Sequence, residues 1–125
     1  MAIILAVDDC TYGLFQTIEM LRAHGYDILP VADEARALEL LHTNMVDAVV
    51  LNCHAGQTSR IASLFRGQQP GVPIIMLSGY CGVPCEHLRL SDACIQRGES
   101  DEVLLRTLEA MLCCRRFGLC RSVAA

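Results

Sequence analysis

The stretch Asp47-Ala48-Val49-Val50-Leu51-Asn52-Cys53-His54 decides the fold. Four apolar residues, Ala48 to Leu51, follow one another without polar alternation and stop at an amide. A short apolar run of this kind reads as a strand covered on both faces, the central strand of a parallel sheet. In open parallel sheets, sites sit just beyond the carboxyl ends of the strands. Asn52 therefore stands where a functional group is expected, and it is not a nucleophile.

The same pattern recurs on either side. Ala2 to Val7 reads as a buried strand ending at Asp8-Asp9, and Tyr26 to Val31 as a second strand. Val72 to Leu77 reads as a fourth, ending at Ser78-Gly79, and Asp92 to Ile95 as a short fifth, followed by Gln96-Arg97-Gly98. Helical spacing fills the intervals. Leu14, Ile18 and Leu21, with Phe15 beside them, mark a helix over residues 11–24 that Gly25 stops. Asp33 caps a second through about His42, with Ala35, Leu38 and Leu41 as its buried stripe. Ile61, Leu64 and Phe65 mark a third, stopped by Gly67 and Pro70-Gly71. Gly82 and Pro84 leave room for only a short, irregular helix around Cys85 to Leu90. The last helix starts near Ser100 or Asp101, with Val103, Leu104, Leu105, Leu108, Met111 and Leu112 on its apolar face. Strands alternating with helices imply an α/β fold with right-handed crossovers onto one parallel sheet.

Composition agrees with one compact domain. The chain has 125 residues, 53% hydrophobic and 19% charged, and is long enough to bury roughly two thirds of its unfolded surface. Its net charge of −4 gives no general attraction to nucleic acid or to an anionic membrane. All ten basic residues are arginines, so chemistry that wants a lysine must use arginine. The apolar N-terminal run is too short for a signal sequence or a membrane span, and a cytoplasmic location is expected. The eight cysteines are then expected to be mostly reduced.

Asp8, Asp9, Asn52, Ser78 and Arg97 converge on one sheet edge in such a topology. Two carboxylates beside an amide oxygen are hard ligands suited to Mg²⁺, and a hydroxyl and a cation opposite them suit an anion. Plainer roles remain open: Asp8-Asp9 as a helix cap, Asn52 as a turn residue, Ser78 as a strand-end hydroxyl, Arg97 as an ion-pair partner. Cys81-x₃-Cys85-x-His87, with His54 across the edge, places soft ligands at plausible spacing but lacks the C-x₂-C pairs of specific zinc motifs. No nucleophile–base pair and no phosphate-cradling glycine loop can be assigned, so an enzyme is not expected.

Over about residues 2–114 the chain resembles the receiver domain of two-component response regulators. Ile4-Leu5-Ala6-Val7-Asp8-Asp9 resembles the opening strand and its Mg²⁺-holding acidic pair. Asp47 to Asn52 resembles the third strand, which in the family ends in the phospho-accepting aspartate. Pro73-Ile74-Ile75-Met76-Leu77-Ser78-Gly79 resembles the fourth strand with its switch hydroxyl, and Ser91 to Gly98 resembles the segment ending in Lys-Pro. The resemblance implies a flavodoxin-like (βα)5 three-layer sandwich with strand order 2-1-3-4-5, as residues 1–114, and a C-terminal tail, 115–125.

The chain departs from the family at the residues that do the chemistry. Asn52 replaces the acceptor aspartate, Arg97 the lysine and Gly98 the proline, and Cys94 takes the aromatic switch position. The resemblance is therefore to a degenerate receiver, acting in signal transduction by phosphorylation-independent protein–protein contact. With Asn52 leaving only two carboxylates, Arg97 is expected to pair with Asp8 or Asp9, or a water to sit there, so that Mg²⁺ is held weakly if at all and no other cofactor is expected. An unidentified signalling protein is the expected partner, with a homodimer through residues 81–112 (fourth helix, fifth strand and last helix in the family) as a further expectation. The alternative is a thiol- or metal-responsive sensor using Cys81, Cys85 and His87.

Overall fold

In the computed structural model, which describes residues 2–7, 15–43, 45–52, 58–78, 91–96 and 101–117, the apolar runs form five parallel strands. These are β1 (Ile3–Val7), β2 (Asp27–Val31), β3 (Ala48–Asn52), β4 (Ile74–Ser78) and β5 (Ala93–Gln96). Their order in the sheet is β2-β1-β3-β4-β5, as expected. Four helices accompany them among the described residues: α1 (Phe15–Ala23), α2 (Glu34–Thr43), α3 (Thr58–Gln68) and α4 (Asp101–Phe117). The irregular helix expected around 85–90 lies outside the described residues.

Strand alternation divides the core into two layers. Leu5, Val7, Val49, Leu51, Ile74 and Met76 pack on one side with Ala37 and Leu41 of α2 and Ala62 and Phe65 of α3. Ile4, Ala6, Ala48, Val50, Ile75 and Leu77 pack on the other with Leu21 of α1 and Leu104, Leu108 and Met111 of α4. Every residue of β3 is buried, which is why its sequence shows no polar alternation. Pro30 lies in β2, an outer strand, where its missing N–H interrupts no inner ladder.

The helix ends follow local chemistry. The Gly25 N–H donates to the Arg22 carbonyl (3.0 Å) and the Tyr26 N–H to the Leu21 carbonyl (3.2 Å). With Gly25 at φ 92°, this is a Schellman stop that a β-carbon would strain. The Asp33 carboxylate accepts the Arg36 N–H at 2.8 Å, capping α2 as its position in sequence predicts.

Three details differ from the sequence reading. Ala35 is exposed and Ala37 buried, because alanine is too weakly apolar to mark which face turns inward. Leu64 is 38% exposed while Ala62 is fully buried. Helix α3 continues through Gly67 and ends at Gln68; the stop is set by Pro70, which disfavours helical geometry at Gln69. Helix α4 runs to Phe117.

A β-carbon at Gly67 would meet nothing within 4 Å. Gly67→Ala is therefore expected to stabilise the protein by about 0.5 kcal/mol, read as a higher urea midpoint. A lower midpoint would show that the glycine relieves strain.

Burial, with the Glu109 carboxylate adding to it, raises the Tyr26 phenol above its ordinary value. The folded state thus resists ionisation of Tyr26 more than the unfolded chain does. This contribution is fully present below about pH 10 and is lost as pH rises through the raised value. Tyr26→Phe is expected to flatten the alkaline fall in urea midpoint above about pH 10; an unchanged slope would assign that fall to other groups.

Candidate functional site

Because all five strands are parallel, their carboxyl ends share one edge. Val7 lies beside Leu51, Asn52 beside Leu77 and Ser78 beside Gln96, with neighbouring strands about 5 Å apart. The strand ends expected to converge do so. Asn52 is the final residue of β3 and is only 3% exposed; by alternation it falls on the side of Ala48 and Val50. An amide in that place brings a carbonyl acceptor and an N–H donor but no charge.

Ser78 ends β4, and its backbone is placed at this edge. Asp8 and Asp9 follow Val7 directly in sequence and Arg97 follows Gln96. Those three residues, the Ser78 side chain, Cys81, Cys85, His87 and His54 lie outside the described residues, and so does the expected Arg97 contact with Asp8 or Asp9. Cys94 is described. It lies beside Met76 in the sheet, packs half-buried on the layer of α2 and α3, and has its Sγ 3.3 Å from Ser91 Oγ. Among the described residues no group of three or more His, Cys, Asp or Glu is placed to hold a metal ion. No helix among them is long and apolar enough to cross a membrane.

The opposite edge holds a feature the sequence reading missed. Asp47 precedes β3, and its carboxylate accepts the Ile3 N–H at 2.7 Å while its own N–H donates to the Ile3 carbonyl at 2.8 Å. Asp92 precedes β5 and repeats the arrangement: its carboxylate accepts the Ile74 N–H at 2.8 Å and its N–H donates to the Ile74 carbonyl at 2.8 Å. Each carboxylate satisfies the first N–H of a buried neighbouring strand, a donor that would otherwise be costly to bury. Arg66 of α3 pairs with Asp92 and donates to the Val72 carbonyl at 2.9 Å and the Pro70 carbonyl at 3.2 Å. Asp-Ala opens both strands (Asp47-Ala48 and Asp92-Ala93). That repeat was the available signal.

No protein-family model and no curated protein matches the sequence. Solved structures match closely in shape. A CheY-like response regulator receiver domain from Methanospirillum hungatei superposes with a TM-score of 0.84 at 21% identity, covering 94% of this chain and 98% of that one. A response regulator receiver domain from Clostridium thermocellum gives 0.82 at 16%, covering 95% and 100%. The response regulator TrrA from Thermotoga maritima, in complex with Mg²⁺ and BeF, gives 0.80 at 21%, covering 89% and 99%. With its strand order, its two helical layers and these neighbours, the chain has the fold of response-regulator receiver domains.

Proposed function

We propose that this protein is a receiver-like signalling module that works by protein–protein contact without being phosphorylated. The observation that carries the reading is Asn52, a buried amide at the last position of the central strand. In the family that the sequence resembles, this position supplies the carboxylate that takes the phosphoryl group. An amide nitrogen shares its lone pair with the carbonyl and cannot form an acyl phosphate there. TrrA, with the same fold, was crystallised with Mg²⁺ and BeF. Here the loss of one carboxylate weakens the case for Mg²⁺, leaving Asp8 and Asp9 as the only acids of the motif. With no acid–base pair assigned, the role is one of binding rather than catalysis, in the cytoplasm, with another signalling protein as partner. Intact mass after incubation with a small phosphodonor and Mg²⁺ tests the reading: the native chain stays unmodified, and a phosphoryl group on it overturns the proposal.

The contact surface in this reading includes β5, an outer strand of the sheet, and the exposed side of α4 with Glu102, Arg106 and Glu109. Self-association through it is expected as a monomer–dimer equilibrium in sedimentation velocity that weakens on Arg106→Glu. Strictly monomeric behaviour at millimolar concentration removes the homodimer from the proposal and leaves a heterologous partner.

A further inference from the structure

The two outer strands of the sheet, β2 and β5, differ in what their free edges offer. The Asp27 N–H donates to the Ala2 carbonyl at 3.0 Å, so alternation turns the backbone of Asp27, Leu29 and Val31 toward β1 and leaves that of Ile28 and Pro30 facing outward. Pro30 has no N–H to offer, and the Arg22 guanidinium stands 3.5 Å from the Ile28 carbonyl. Proline and a covering charged side chain are devices that blunt a sheet edge against further pairing. The β2 edge is closed. On the other side, the Val49 N–H donates to the Pro73 carbonyl at 2.9 Å. This turns the backbone of Pro73, Ile75 and Leu77 toward β3, and that of Ile74, Met76 and Ser78 toward β5. With Ile75 beside Ala93 and Leu77 beside Ile95, Ala93 and Ile95 bond to β4, and the N–H and C=O of Cys94 face outward. Among the described residues neither group has a hydrogen-bond partner. Strand β5, Ala93-Cys94-Ile95-Gln96, carries no proline and no charge. Its edge is open.

We propose that β5 pairs along this edge with β5 of a second copy of the chain, antiparallel about a two-fold axis, so that the two sheets continue into one. The occupant follows from the edge itself. A two-fold sets the outward N–H of Cys94 in each copy against an outward carbonyl of the other, so one open edge is complementary to its own copy. No charged side chain of β5 meets its like across the axis. Head-to-tail pairing of β5 with β2 would build an open filament, and Pro30 with Arg22 stands against it. Association therefore closes at two chains. Affinity comes from main-chain hydrogen bonds, as when a peptide strand adds to a sheet. This inference rests on the contact surface proposed above, to which β5 belongs, and makes the backbone of β5, rather than the side chains of α4, the part that binds.

The test is sedimentation velocity of the reduced full chain over a concentration series, with two substitutions at one position. Cys94→Pro removes the outward N–H and leaves the β4 ladder intact, as Pro30 does in β2; it is expected to abolish the dimer. Cys94→Ala keeps the N–H and is expected to keep the dimer. Circular dichroism of Cys94→Pro separates lost pairing from lost fold. If that variant does not fold, hydrogen exchange of the native chain decides: the Cys94 amide is expected to exchange more slowly as the dimer forms. A native chain that is monomeric at millimolar concentration overturns the proposal, as does a dimer that persists in folded Cys94→Pro or a Cys94 amide that exchanges equally fast in monomer and dimer. Loss of the dimer in Cys94→Ala as well overturns it by assigning the contact to the thiol. A dimer that survives Cys94→Pro but is lost in Arg106→Glu overturns edge pairing alone and leaves the contact surface on α4.

Discussion

Asn52→Asp, incubated with a small phosphodonor and Mg²⁺, is expected to gain one phosphoryl group while the native chain gains none. The new carboxylate oxygen forms an O–P bond as the donor's P–O bond breaks, with Mg²⁺ drawing charge off the phosphoryl oxygens. The backbone is already in place, since Asn52 closes a fully buried strand at the shared carboxyl edge. The same substitution adds a negative charge at a position only 3% exposed, with Asp8 and Asp9 following the end of the neighbouring strand. In a chelator it should therefore cost about 1–2 kcal/mol of stability. Mg²⁺ at about a hundred times its dissociation constant would restore roughly 2.7 kcal/mol by mass action. The native chain, with one carboxylate fewer, should respond less. If the variant remains unphosphorylated although folded and Mg²⁺-stabilised, the loss at position 52 is not the only one, and Arg97 in place of a lysine becomes the residue to restore.

The second large effect lies at the other end of the sheet. Asp92→Ala would leave the Ile74 N–H buried without its acceptor and Arg66 without its carboxylate. Both groups are mostly shielded, with side-chain exposure of 26% for Arg66 and 12% for Asp92. Breaking a fully buried pair costs about 3–5 kcal/mol; partial exposure brings the expectation to about 3 kcal/mol. For a chain of this length that is a fall of about 10 °C in melting temperature. Asp92→Asn keeps an acceptor for the Ile74 N–H but loses the charge, and should fall between the two. A double-mutant cycle with Arg66→Ala isolates the pair. A change below about 0.5 kcal/mol in Asp92→Ala would mean that water replaces the carboxylate without loss.

How much of this was legible beforehand depends on the range of each interaction. The apolar runs and their polar stops belong to single segments, so the strands, the parallel sheet and the alignment of Asn52 and Ser78 at one edge could be read directly. The Gly25 stop and the Asp33 cap were equally legible, because each is closed within a few residues. Weak local signals misled: Ala35, Leu64 and Gly67 fit the expected patterns, yet packing chose Ala37 and Ala62 for the interior and carried the helix past the glycine.

What the sequence by itself determined is the alternation of elements, the residue types that stand at the strand ends and the fold class. Only the tertiary structure decided which polar groups hold the sheet's amino edge together. Asp47 meets Ile3 across 44 residues, Asp92 meets Ile74 across 18, and Arg66 meets Asp92 across 26. A carboxylate at the start of a strand carries no mark of the partner it will find. That partner is set by strand order and register, which exist only once the hydrophobic faces have packed.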